Sequence, residues 1–153
     1  MSGALPFVGP ALSLVAAKQA TEIGRFNQSV ANRNALIAKQ EADQISKLKT
    51  YNINKFNQSF ENLQSTTKVR LLKSGVELSG TALKILQSNV EQAELQRGII
   101  EYNANVAASK KLEEANFAFI SGQIARRRGD LAAIGYASQA GTSLLQMRQV
   151  GLV

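Results

Sequence analysis

The groups in this chain equipped for chemistry are two carboxylate pairs, Glu91 with Glu94 and Glu113 with Glu114, and a run of arginines, Arg126, Arg127 and Arg128. Paired carboxylates act as acid and base when a sheltered pocket holds them against a substrate. Nothing around these two pairs marks a pocket, and charges this close along a helix are ordinarily a solvated face. Guanidinium groups offer paired donors to anionic oxygens, so Arg126, Arg127 and Arg128 suit phosphate, from DNA or from lipid head groups. They equally suit the negative end of a helix macrodipole, which needs no ligand. No aromatic residues interleave with them for stacking on bases, so sequence-specific reading of nucleic acid is not expected.

The missing residue types narrow the chemistry further. The 153 residues include no His and no Cys, which removes the commonest transition-metal ligands, the usual general base and any disulfide framework. The chain is read as non-enzymatic, with no cofactor and no metal. Its net charge is +7, and the excess is uneven. Residues 1–80 carry ten Lys/Arg against five Asp/Glu, residues 81–123 four against five, and residues 124–153 four against one. Such a field favours anionic partners without choosing among nucleic acid, lipid and acidic protein.

The elements that must carry these groups are helical. From Ala11 to about Lys73 there is no proline, and Gly24 is the only glycine. Ile23, Phe26, Val30, Ile37, Ile45, Leu48, Phe56, Phe60 and Leu63 fall mostly three, four or seven apart, which is helical spacing. Phe26, Ile37 and Leu48 are each eleven apart, a period of ~3.67 residues per turn that keeps a stripe nearly straight. A helix of some 60 residues would be ~90 Å long. "RFNQS" at 25–29 and "KFNQS" at 55–59 echo one another, either by drift within a polar helix or as a repeated contact.

The stretch "RLLKSGVELSGTALKIL" at 70–86 breaks the pattern. Gly75 is placed to close the first helix in the left-handed conformation, with Lys68, Arg70 and Lys73 at the negative end of its dipole. Val76 and Leu78 are expected to pack over the turn, and Ser79 or Thr81 to cap the next helix. The reversal therefore comprises Ser74, Gly75, Val76, Ser79 and Gly80, and it lays the two helices side by side. A second helix follows from Thr81 to Arg128, its seam running through Leu83, Leu86, Val90, Ala93, Ile100, Ala104 and Ala107, with Arg97 as one polar interruption.

Both ends of the chain are apolar. The start, "MSGALPFVGPALSLVAAKQA", lacks a basic region ahead of its apolar run, which argues against a secretory signal, and is too short and broken for an ordinary span. Leu5, Phe7, Val8, Leu12, Leu14 and Val15 there, with Leu144 and Leu145 near the other end, are the candidate contacts with a neighbouring subunit or a membrane. Ala137 and Gly141 form a small-xxx-small pair, while Gln139, Gln146, Arg148 and Gln149 make the tail a poor permanent span.

The predicted fold is all-α: an elongated antiparallel helical hairpin, with an apolar arm at 1–17, helix one at 18–73, a turn at 74–80, helix two at 81–128 and an apolar small-residue segment at 129–153. So thin a seam cannot cover the apolar surface of a lone hairpin, so an oligomer is expected.

The order of "RLLKSGVELSGTALKIL", "NVEQAELQRGIIEYNANVAASKK", "ARRRG" and a small-residue apolar tail resembles the smallest internal virion protein of short-tailed podovirus phages. The resemblance covers roughly residues 25–150. It departs from the family pattern after the turn, where paired serines and a proline are replaced by Ser79-Gly80-Thr81-Ala82. What it implies is a homo-oligomeric ring in the capsid core at the portal vertex, in contact with other internal virion proteins, the portal and packaged DNA. After ejection it would help form a conduit across the host envelope membrane, as an outer-membrane pore component. Two other readings compete: a structural ring or adaptor at the portal or tail that never enters a membrane, and a sequence-independent DNA-binding protein.

Overall fold

The computed structural model describes residues 8–75 and 79–149, the side chains of 8–10 and 147 excepted. It is all-helical, and among the described residues there is no strand. Helix α1 spans Val8–Lys73 and α2 spans Thr81–Gln149, 66 and 69 residues. The two helices pack against one another.

Both helices extend beyond the predicted bounds. Helix α1 takes in residues 8–17, expected as a separate arm, because Pro10 falls in the first turn, where a backbone N–H has no intrahelical acceptor to lose. Helix α2 continues through Gly129, the expected stop, and takes in most of the predicted tail. Gly129 is buried within the helix rather than placed at its end. Its missing side chain admits a neighbouring helix.

The turn follows from two glycines with positive φ. Gly75 has φ +72° and Gly80 φ +57°, a region that L side chains enter only at a cost. The Ser74 N–H donates to the Arg70 carbonyl at 3.1 Å and the Gly75 N–H to the Leu72 carbonyl at 3.2 Å. Together they satisfy carbonyls that the helix end leaves open. The Ser74 hydroxyl donates to the Leu71 carbonyl at 2.8 Å. Arg70 and Lys73 lie in the last turn. At the start of α2 it is the Gly80 carbonyl that accepts the first helical bond, from the Lys84 N–H at 3.2 Å. Gly80, rather than Ser79 or Thr81, thus occupies the N-cap position. Val76 and Leu78 lie outside the described residues.

Packing divides the chain into two units, one formed by the chain up to Ile37 and from Glu114 onward, the other by Ala38–Glu113. In the first, Gly24 meets Gly129 and Ala31 meets Gly122. In the second, Glu41 pairs with Lys111 at 2.9 Å, and the Lys49 ammonium donates to the Asn105 side-chain oxygen at 3.0 Å. In each unit the partner numbers fall as the first numbers rise, so the helices run antiparallel.

Among the described residues the buried apolar side chains are all alanines: Ala35, Ala38, Ala42, Ala82, Ala93, Ala115 and Ala140. An alanine removes little apolar area from water, roughly one methyl at ~0.8 kcal/mol, whereas a leucine contributes about 1.5–3. The seam therefore gains its closeness from small residues and only modest stability from burial. The eleven-residue period is present but in another phase from the predicted one. Ala20, Ala31, Ala42 and Ile53 on α1, and Ala82, Ala93, Ala104 and Ala115 on α2, recur every eleven residues and are buried or half-buried.

Candidate interaction surfaces

The large apolar residues of the predicted α1 stripe are mostly turned outward. Phe26 is 68% exposed, and Ile23, Val30, Ile37, Leu48 and Leu63 are exposed with it, while Ile45, Phe56 and Phe60 are half-buried. A helix packed closely on another through Ala and Gly has no room for these side chains at the contact. The α2 seam fares better: Ala93 is buried, and Leu86, Val90, Ile100, Ala104 and Ala107 are half-buried. Leu83 is exposed and Ala82, one residue earlier, takes the inward place. Arg97 is exposed.

The two copies of the echo at 25–29 and 55–59 have different surroundings within the chain. Phe26 faces solvent, whereas Phe56 lines a cleft with Phe60, Leu63, Asn89, Gln92 and Ala93. Thirty residues separate the copies, which is no multiple of eleven, so the second copy is rotated around the helix relative to the first. The cleft holds about 200 Å³, below the ~300 Å³ at which small-molecule sites begin.

Glu91, Glu94, Glu113 and Glu114 are all exposed on α2. Glu91 and Glu94 border a shallow apolar depression lined by Leu95, Gly98, Ile99 and Tyr102. Among the described residues no group of three or more acidic side chains is placed to hold a metal ion.

Arg126, Arg127 and Arg128 are exposed, and the Arg126 Nε lies 3.8 Å from an Asp130 carboxylate oxygen. They sit well inside α2, which runs on to Gln149, so the macrodipole account of this cluster does not hold. Consecutive helical residues are about 100° apart, so the three fan across roughly 200° of the helix surface instead of converging. Leu12, Leu14, Val15, Leu144 and Leu145 are exposed at 61, 56, 54, 46 and 64%. Leu5 and Phe7 lie outside the described residues, as does the Val8 side chain. No helix among the described residues is long and apolar enough to cross a membrane.

What sequence reasoning missed was the inward role of Gly24, Gly122 and Gly129. All three are buried at helix contacts, and the available signal was their placement in phase with the alanines. Compared with known protein families, curated proteins and solved structures, the chain matches none.

Proposed function

We propose that this chain is a phage internal virion protein, non-enzymatic, stored as a homo-oligomer in the capsid core near the portal and passed into the host envelope as part of the genome conduit. The observation that carries the reading is the inversion of size across the helices. Alanine and glycine occupy the contact, while Phe26, Ile37, Leu48, Leu95, Tyr102 and Phe117 remain open to water. Exposed apolar surface on this scale is ordinarily covered by other chains or by lipid. A pair of helices without a thick core can also pass through a narrow tail without first unfolding a globular domain. Helix α1, with ten basic residues against four acidic, suits a place beside packaged DNA. The conduit would be built by several chains together, since no single described helix is a membrane span.

The test is mass spectrometry of purified particles before and after triggered ejection. The chain is expected in filled particles and absent from emptied ones. Retention in emptied particles would identify a portal or tail adaptor instead, and absence from both would overturn the proposal.

A further inference from the structure

We propose that the outer face of α2 around Gly98 receives the outer face of α1 around Tyr51 from a second copy of this chain. Leu95, Gly98, Ile99 and Tyr102 stand at i, i+3, i+4 and i+7, the four corners that form a hole for a side chain of a facing helix. Three corners are large and open, at 70, 59 and 68% exposure. The fourth is a glycine at which an added Cβ would meet nothing within 4 Å. The hole is thus an apolar notch with Glu91 and Glu94 along its border. Ala93 and Ile100, on the opposite side of the same helix, are the residues turned inward.

Within the same unit α1 carries the complement. Leu48 and Tyr51 are 58 and 61% exposed, and Lys47 and Lys55 stand one turn before and one turn after Tyr51. Ala42 and Ile53 face inward from the other side of that helix. An apolar centre bordered by carboxylates therefore matches an apolar centre bordered by ammonium groups, which favours this pairing over either face meeting itself.

The period of the two faces identifies the occupant. Leu48 lies eleven residues from Ile37, and Ile37 eleven from Phe26; Leu95 lies eleven from Val106, and Val106 eleven from Phe117. All six are exposed. Within the unit formed by Ala38–Glu113, the α2 face offers the same apolar position again three turns on, from Leu95 to Val106, instead of rotating it away. Because the two faces lie on the outer sides of their helices, away from the inward Ala42, Ile53, Ala93 and Ile100, a copy seated on one face does not reach the other, and each copy keeps one of them free after pairing. Such a contact is heterologous and propagates to a closed ring or an open filament.

This contact would build the oligomer named in the proposed function, but association in solution and location in a particle are separate measurements, and either can fail alone. Light scattering on the eluted full-length chain is expected to give a mass above that of one chain. Gly98→Leu fills the notch from open space, and is expected to return the single-chain mass with the helical circular dichroism unchanged. The doubly substituted Lys47→Glu/Lys55→Glu and Glu91→Lys/Glu94→Lys chains should each be single, and an equimolar mixture should associate again, since each altered face then complements the other. A single-chain wild type, or variants that associate as wild type does, would overturn the inference. So would a mixture of helical variants that stays single; if Gly98→Leu loses helicity, the mixture alone decides.

Discussion

Gly129 and Gly24 face each other so closely that a Cβ built on Gly129 would lie 2.9 Å from the Gly24 Cα, and one built on Gly24 would lie 3.0 Å from the Gly129 Cα. The atoms met on either side are backbone, including the Ala20 carbonyl oxygen at 2.7 Å from the Gly129 Cβ position. Backbone cannot rotate aside as a side-chain tip does. Gly129→Ala is therefore expected to destabilise the chain by about 1–3 kcal/mol, the usual cost of overpacking. Gly135→Ala and Gly141→Ala, where an added Cβ meets nothing within 4 Å, should instead stabilise by about 0.5–1 kcal/mol through helix propensity. Urea titration followed by circular dichroism distinguishes the two, and the same sign at all three positions would refute the contact.

A second comparison turns on two residues of α2 that composition alone would rank in the wrong order. Ala115 is 1% exposed and Phe117 74%. Ala115→Leu should cost about 1–3 kcal/mol by forcing the helices apart. Phe117→Ser should change the stability of the single chain by no more than about 0.5 kcal/mol. Measured at low protein concentration, the reverse order would mean that the seam is packed by large residues after all.

How much of this was legible beforehand can be argued from the same residues. The helical class, the reversal at Gly75 and the eleven-residue period all follow from local rules: proline and glycine placement, capping chemistry and spacing. The phase of the period does not. Phe26, Ile37 and Leu48 share a period with Ala20, Ala31 and Ala42, and hydrophobicity alone favours the larger set. The alanines win because close helix approach is a property of the pair, invisible in either helix alone. Gly129 misled in the same way. A glycine after three arginines reads as a helix stop, but its lack of a side chain serves the neighbouring helix. The outward faces around Tyr51 and Gly98 became visible only when the inward set was known.

The turn glycines give a third prediction. Gly75 and Gly80 have φ of +72° and +57°, and among the described residues neither has a neighbour within 4 Å of an added Cβ. The positive φ sets the penalty expected for a side chain there. Gly75→Ala should cost about 1 kcal/mol, and Gly75→Asn less, because asparagine tolerates the left-handed region better. Equal costs for Ala and Asn would point to a lost contact in place of strain.

The pair between Glu41 and Lys111 spans the helices at 2.9 Å, with side chains 45 and 33% exposed respectively. Solvent screens an ion pair of this kind, so its coupling should be about 0.2–1 kcal/mol in a double-mutant cycle using Glu41→Gln and Lys111→Met. At 1 M salt the screening length falls to roughly 3 Å, and the coupling should shrink further. A salt-independent coupling above that range would assign the pair a larger part in fixing helix register.

The proposed place beside packaged DNA gives a test of the arginine run. Each phosphate neutralised on duplex DNA contributes about 0.9 to the slope of log affinity against log salt. If Arg126, Arg127 and Arg128 acted together, replacing all three with Gln would lower that slope by about 2.7. Their spread over roughly 200° of the α2 surface prevents one duplex from engaging all three. We therefore expect a decrease of about 0.9–1.8, with residual binding carried by α1, whose ten basic residues outnumber four acidic ones. Fluorescence anisotropy of a labelled duplex over a series of NaCl concentrations measures the slope directly. A decrease near 2.7 would mean that the three side chains converge on one duplex, no decrease would exclude the cluster from DNA contact, and no binding by the unaltered chain would overturn the proposed place beside DNA.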